Sequence, residues 1–98
     1  MKWEKKGLIY SPTNLNDWRN NSALQPTPIK IENFVRIYAG FRDIRGISRI
    51  GYIDVNANNP SEIFRVSKKP VLDIGDDGMF DENGVVPTCI IKRNGDYF

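Results

Sequence analysis

The sequence contains no histidine and a single cysteine, Cys89, in 98 residues. Without histidine the chain cannot assemble a Ser-His-Asp or Cys-His catalytic apparatus of its own, and most zinc sites are excluded with it. One cysteine cannot close an intramolecular disulfide. Cys89 stands in the apolar run 85–91, so a buried, unreactive thiol is expected. No apolar run is long enough to span a bilayer, and the opening MKWEKKGLIYSP lacks the extended apolar stretch of a secretory leader. A cytoplasmic protein with no membrane partner is expected. Charge of one sign is also in short supply. Fourteen Lys/Arg against twelve Asp/Glu leave +2, too little to argue for a nucleic-acid partner. The distribution is less even: residues 1–50 hold nine Lys/Arg and four Asp/Glu, residues 51–98 five and eight. Such a separation is expected of two differently solvated faces.

Helical periodicity is absent throughout, and period two takes its place. In FVRIYAGFRDIRGISRIGYIDV, Val35, Ile37, Ala39 and Phe41 alternate on one face of a strand, with Arg36, Tyr38 and Arg42 on the other face or at its end. A polar turn at 43–46 leads into a second strand, 47–55, rich in Ile, Tyr and Val. Shorter strands are expected at 7–10, 28–31, 71–74 and 85–91. Residues 11–25, rich in Asn and Ser around Trp18, read as a loop, and Pro26 and Pro28 hold the next segment extended. Glu32-Asn33 is a turn, as is NANNPS at 56–61. Residues 62–66 fit one helical turn or a strand equally. GDDGMFDENG at 75–84 is an acidic, glycine-rich loop, and Asn94-Gly95 is a two-residue hairpin turn. The fold expected is all-β, antiparallel and built from consecutive hairpins in one domain, 1–98.

Three groups of residues carry candidate chemistry. Arg42, Arg45 and Arg49 crowd Asp43 at the hairpin end, the densest polar cluster beside apolar strand; as a solvated tip it would contribute little. Asp81 and Glu82 immediately precede an apolar segment, a position from which barrel and propeller sites present side chains. Trp18, Tyr38 and Tyr52 offer apolar ring faces to the C–H faces of sugars. Core packing is the expectation for Tyr52, and Trp18, in a polar loop, is the better stacking candidate. The acidic loop does not read as an EF-hand, because Gly75 and Gly84 fall where positions three and twelve need ligands. No metal or other cofactor is expected.

The blocks KKGLIYSP, ALQPTPI, RIYAGFRD, GISRIGYIDV, KKPVLDIG and FDENGVVPTCI, taken in order, resemble the N-terminal part of the five-bladed β-propeller glycosidases and glycoside phosphorylases. The nearest likeness is to glycosidase-like proteins associated with bacterial surface-polysaccharide synthesis, and it runs from about Lys5 to Phe98. The resemblance implies a funnel-shaped sugar site on the propeller axis. Phe41-Arg42-Asp43 is similar to the invertase-type FRD element, whose aspartate orients and stabilises the sugar in the transition state. Arg42, Asp43, Ser48 and Arg49 also match the Arg-x-x-Asp and Ser-Arg-Ile elements of mannoside phosphorylases. Those enzymes next carry a Glu-Asp-Pro-Arg segment with the general acid. Here Val86 stands at the acid position, which argues against phosphorolysis.

Glycosidic hydrolysis needs two carboxylates flanking the scissile bond. Asp43 and Glu82 are the pair nominated for catalysis or its support, with Arg42, Arg49, Trp18, Ser48 and Asp81 as substrate-binding groups. At roughly 40–50 residues per four-stranded blade, the chain holds about two blades of five. It is therefore expected to be an N-terminal fragment, without turnover alone, of a protein roughly three times longer that acts on hexose-containing carbohydrate. The alternatives are a propeller that binds glycan without catalysis, and a small all-β interaction module.

Overall fold

A computed structural model describes residues 7–11 and 17–97. The expected central hairpin forms the middle of a four-stranded antiparallel sheet ordered β1 (Asn21–Ile31), β2 (Phe34–Arg42), β3 (Ser48–Asn56), β4 (Asn59–Val66). The two-residue strands β5 (Lys92–Arg93) and β6 (Asp96–Tyr97) make a separate hairpin. The described residues contain no helix, and none is long and apolar enough to cross a membrane.

The β2–β3 ladder runs without a break from Phe34 opposite Asn56 to Arg42 opposite Ser48. That register decides what each face carries, since alternate residues point to opposite sides. Val35, Ile37, Ala39 and Phe41 share one face with Val55, Ile53, Gly51 and Arg49. Arg36, Tyr38, Gly40 and Arg42 share the other with Asp54, Tyr52, Ile50 and Ser48. The core forms on the first face, where Ala39, Phe41 and Ile53 are buried and Tyr10, Trp18, Ala23, Ile37 and Val66 pack around them. Phe41 is fully enclosed, with Tyr10 and Trp18 edge-on at centroid distances of 6.2 and 5.7 Å.

Glu32-Asn33 turns the chain from β1 to β2 as expected, and Asn94 (φ 52°) and Gly95 (φ 84°) form the left-handed turn between β5 and β6. Other expectations are corrected. Residues 7–10 are irregular, not a strand. The strand expected at 28–31 begins at Asn21, inside the segment read as loop. Its register slips twice between Asn21 and Thr27, with positive φ at Ser22 and Gln25. These bulges accommodate polar residues that alternation does not describe. Residues 12–16 of that loop, with Lys5, Lys6 and Phe98, lie outside the described residues. Residues 62–66 are strand, the greater part of β4, which starts at Asn59 so that the expected NANNPS turn shrinks to Ala57-Asn58.

The segments 71–74 and 85–91 are not strands. Each supplies instead a short pairing to the outer edge of β3, beyond the point where β4 leaves it. Val71 N donates to Ile50 O (2.8 Å), Ile50 N to Leu72 O (3.1 Å), and Val85 N to Ser48 O (2.9 Å). Pro87, which lacks an N–H, stops the second pairing from extending. One four-stranded sheet is therefore present among the described residues, and β5–β6 is a separate two-stranded pairing rather than a second four-stranded sheet. Cys89 is exposed, contrary to the expected buried thiol, because 85–90 lies on the surface as irregular chain.

Candidate functional site

The β2–β3 turn is built by Asp43. Its backbone N donates to Ile47 O (2.9 Å) and its carbonyl accepts from Gly46 N (3.0 Å). Its Oδ1 accepts from the amides of Arg45 (2.9 Å) and Ile47 (3.1 Å). An aspartate that satisfies amides two and four residues ahead fixes a turn that the backbone alone would leave with unpaired donors. Gly46, at φ 84°, supplies the left-handed residue the turn requires.

The second carboxylate oxygen is directed elsewhere. Asp43 Oδ2 accepts from Arg49 Nη1 at 2.8 Å, with both side chains about 15 % exposed. Arg49 reaches it because its β3 position lies opposite Phe41, next to the turn. The other side of the same guanidinium is used too: Nε donates to Asp73 Oδ1 at 2.7 Å. Arg45 is a distant partner at 4.0 Å and largely exposed. Burial pushes the Asp43 carboxyl up, but the Arg49 guanidinium and the Ile47 and Arg45 amides outweigh it and hold the group below the usual carboxylate range. Arg49 is held protonated more firmly than usual, first by its hydrogen bond to Asp43 and then, against desolvation, by Asp73. Asp43 is thus a fixed anion, suited to stabilising positive charge and unsuited to donating a proton at neutral pH.

Asp43, Arg49 and Ile44 line a cleft of about 360 Å³ together with Asp17 and Trp18. Trp18 is half-buried, its Nε1 donating to Lys68 O at 3.1 Å, its ring lying across Gly51 where a Cβ would collide with it. Arg19 stacks on the same ring, 5.6 Å from its centroid, and pairs with Asp17 at 2.9 Å. The hydrogen bond from Arg19 lowers the Asp17 pKa. The expected Trp18, Asp43 and Arg49 are therefore brought to one cleft.

The remaining candidates lie elsewhere. Arg42 is exposed on the opposite face of the sheet, across from Ser48. Ser48 is buried, and its hydroxyl donates to Val85 O at 2.8 Å, leaving it a structural clasp. Asp81 accepts from Gly75 N (3.1 Å) and Glu82 from Gly78 N (2.6 Å), so both brace the acidic loop, and neither lines the cleft. Tyr38 borders a second, larger hollow of about 420 Å³ with Ile50, Leu72, Val86 and Cys89. No Asp, Glu, Lys or Arg lines it, so the polar chemistry belongs to the smaller cleft.

Sequence reasoning missed one cluster. Asp54 is completely buried between Arg36 (Nε to Oδ1 2.8 Å, Nη2 to Oδ2 3.0 Å) and Arg65, which also binds Oδ2. The three sit directly opposite one another on β2, β3 and β4. Arg36 lies 3.9 Å from the Tyr52 ring centroid, and its pKa is raised, chiefly by its hydrogen bonds to Asp54. The signal was present: a lone acid inside the apolar run of β3, placed opposite Arg36 once the 43–46 turn fixes the register.

Two proteins from two strains of Mycobacterium tuberculosis, both described as uncharacterized, are 37% identical to this chain over 93 residues, covering 94% of it and 31% of each relative. The chain spans about a third of the length of the curated relatives it matches. No family model matches it, and no solved structure matches it.

Proposed function

We propose that the chain is the sugar-binding part of a glycosidase-like β-propeller, its β1–β4 sheet forming one blade and the Trp18 cleft receiving a hexose unit. The observation that carries this reading is the meeting of Trp18 with the Asp43 and Arg49 ion pair in one cleft. An indole face takes the C–H face of a pyranose, while a carboxylate and a guanidinium supply charge-assisted hydrogen bonds to its hydroxyls. The four-stranded antiparallel meander is the repeat unit of propellers, and relatives about three times as long leave room for further blades.

In the glycosidase reading the ionised Asp43 stabilises the oxocarbenium-like charge at the sugar, and a separate carboxylic acid protonates the leaving oxygen. Asp17 and Asp43, the carboxylates of the cleft, are both held ionised. Asp81 and Glu82 are committed to loop amides. Among the described residues no group in the cleft is set up as the acid. That observation favours a second reading, glycan binding without catalysis by this chain.

Saturation-transfer NMR with methyl glucoside, mannoside and galactoside tests the shared premise. Transfer to at least one hexoside is expected, with loss in Trp18→Ala and weakening of about tenfold in Asp43→Asn. Absence of transfer from every hexoside overturns the sugar-binding reading. Release of nitrophenol from aryl hexosides then separates the enzyme from the binder.

A further inference from the structure

We infer that Asp73 occupies the place of an acidic ligand group, and that the cleft prefers a sugar bearing a carboxylate, a hexuronate. This rests on the reading that the Trp18 cleft binds sugar.

Arg49 is the cation in the cleft wall, and its two partners differ in how firmly they are held. Asp43 is 14 % exposed, bonded to two turn amides and to Arg49 Nη1. Asp73 is 61 % exposed, and among the described residues its carboxylate is bonded to Arg49 Nε and to the amide of Ile74. Asp43 is thus part of the hairpin, whereas Asp73 is a solvent-accessible carboxylate set on the guanidinium from a separate loop.

That loop can release it locally. Residues 73–84 leave β3 after Leu72, bonded at Ile50, and return at Gly84-Val85, bonded at Ser48. Inside, the loop is held by its own bonds, Gly75 N to Asp81, Gly78 N to Glu82 and Met79 N to Asp76 O. Moving Asp73 away breaks its bond to Arg49 without unzipping either pairing to β3.

Electrostatics then decides what replaces it. A neutral sugar that displaced Asp73 would leave Arg49 Nε with a weaker acceptor than a carboxylate. A hexuronate restores the bond charge for charge, with its ring on Trp18 and its carboxylate on the outer side of Arg49. Because the displaced group is itself a carboxylate, the incoming one matches the same donor geometry of the planar guanidinium.

The test compares methyl glucuronide with methyl glucoside, which differ at C6 alone, by calorimetry on the wild type, Asp73→Asn and Asp76→Asn. The two variants remove the same charge from the same loop, but Asp76 has no bond to Arg49. Asp73→Asn is expected to tighten glucuronide by about tenfold and to leave glucoside within about twofold, with Asp76→Asn changing neither. The Arg49 Nε–H resonance is expected to shift on adding glucuronide and much less on adding glucoside. Glucoside binding with no gain for glucuronide in Asp73→Asn, or equal gains in both variants, overturns the inference and leaves the sugar reading standing. Binding of neither sugar overturns both.

Discussion

Asp43 and Arg49 close on each other at the turn end of the β2–β3 hairpin, Oδ2 to Nη1 at 2.8 Å, with the fully buried Phe41 directly opposite Arg49 in the ladder. The pair therefore sits at the edge of the aromatic core, and the same carboxylate that tethers the arginine also holds the turn. A half-enclosed ion pair of this kind differs from a solvated tip, because removing one partner strands the other beside apolar surface.

Asp43→Ala is expected to lower folding stability by about 2–3 kcal/mol, the worth of lost hydrogen bonds to a charged group. Asp43→Asn should cost less, since its amide oxygen can still accept from Arg45 N and Ile47 N. Urea unfolding of both variants checks the order; an asparagine variant as unstable as the alanine variant would show that the turn bonds carry little.

The depressed Asp43 pKa has a definite sign in acid. Its native pKa lies below the unfolded value of about 3.9, so the unfolded chain binds the proton first as pH falls. The stability it contributes is complete above that unfolded value and is lost as pH falls through the native one. The urea midpoints of the wild type and Asp43→Asn should therefore converge as the pH is lowered from neutral through and below that unfolded value. A constant gap across that range would mean that the carboxylate's charge is not what stabilises the hairpin.

Trp18 owes its position to a missing side chain. Gly51 lies opposite Ala39 in the ladder, and a Cβ there would meet the indole and come within 2.7 Å of Ser67 Oγ, the atom that accepts from Tyr52 N. Gly51→Ala is expected to destabilise by about 1–3 kcal/mol as an overpacking change, and to expose the indole. In a Trp3→Phe background the emission of Trp18 should move to the red. Unchanged emission with unchanged stability would place the ring elsewhere.

The sequence made the central hairpin legible because Val35, Ile37, Ala39 and Phe41 alternate cleanly and 43–46 has turn chemistry at the right distance. Asn94-Gly95 was legible for the same local reason. Residues 21–27 were not, since two bulges break the period that signals a strand. Nor were 71–72 and 84–85, whose pairings depend on β4 leaving the β3 edge free, a tertiary circumstance. Asp81 and Glu82 looked like site acids by type alone. Their role was set by the amides of Gly75 and Gly78, which composition does not reveal. Trp18 and Asp43 were each readable, but their meeting depends on the 17–20 segment crossing Gly51.

The arginine-flanked Asp54 supplies the strongest expectation. Asp54 is wholly buried and neutralises two guanidiniums, so Asp54→Leu, which leaves Arg36 and Arg65 without their anion, should cost about 3–5 kcal/mol. Arg65→Ala should cost less, because Arg65 is half exposed and Arg36 still pairs with Asp54. The three residues form one network, so their effects should not add. Replacing all together, Arg36→Met, Asp54→Leu and Arg65→Met, removes the charges as well as their pairing and should be less damaging than Asp54→Leu alone. Urea unfolding of the single and triple variants decides it. A triple variant at least as unstable as the single one would show that the charges stabilise the sheet in their own right, beyond neutralising one another.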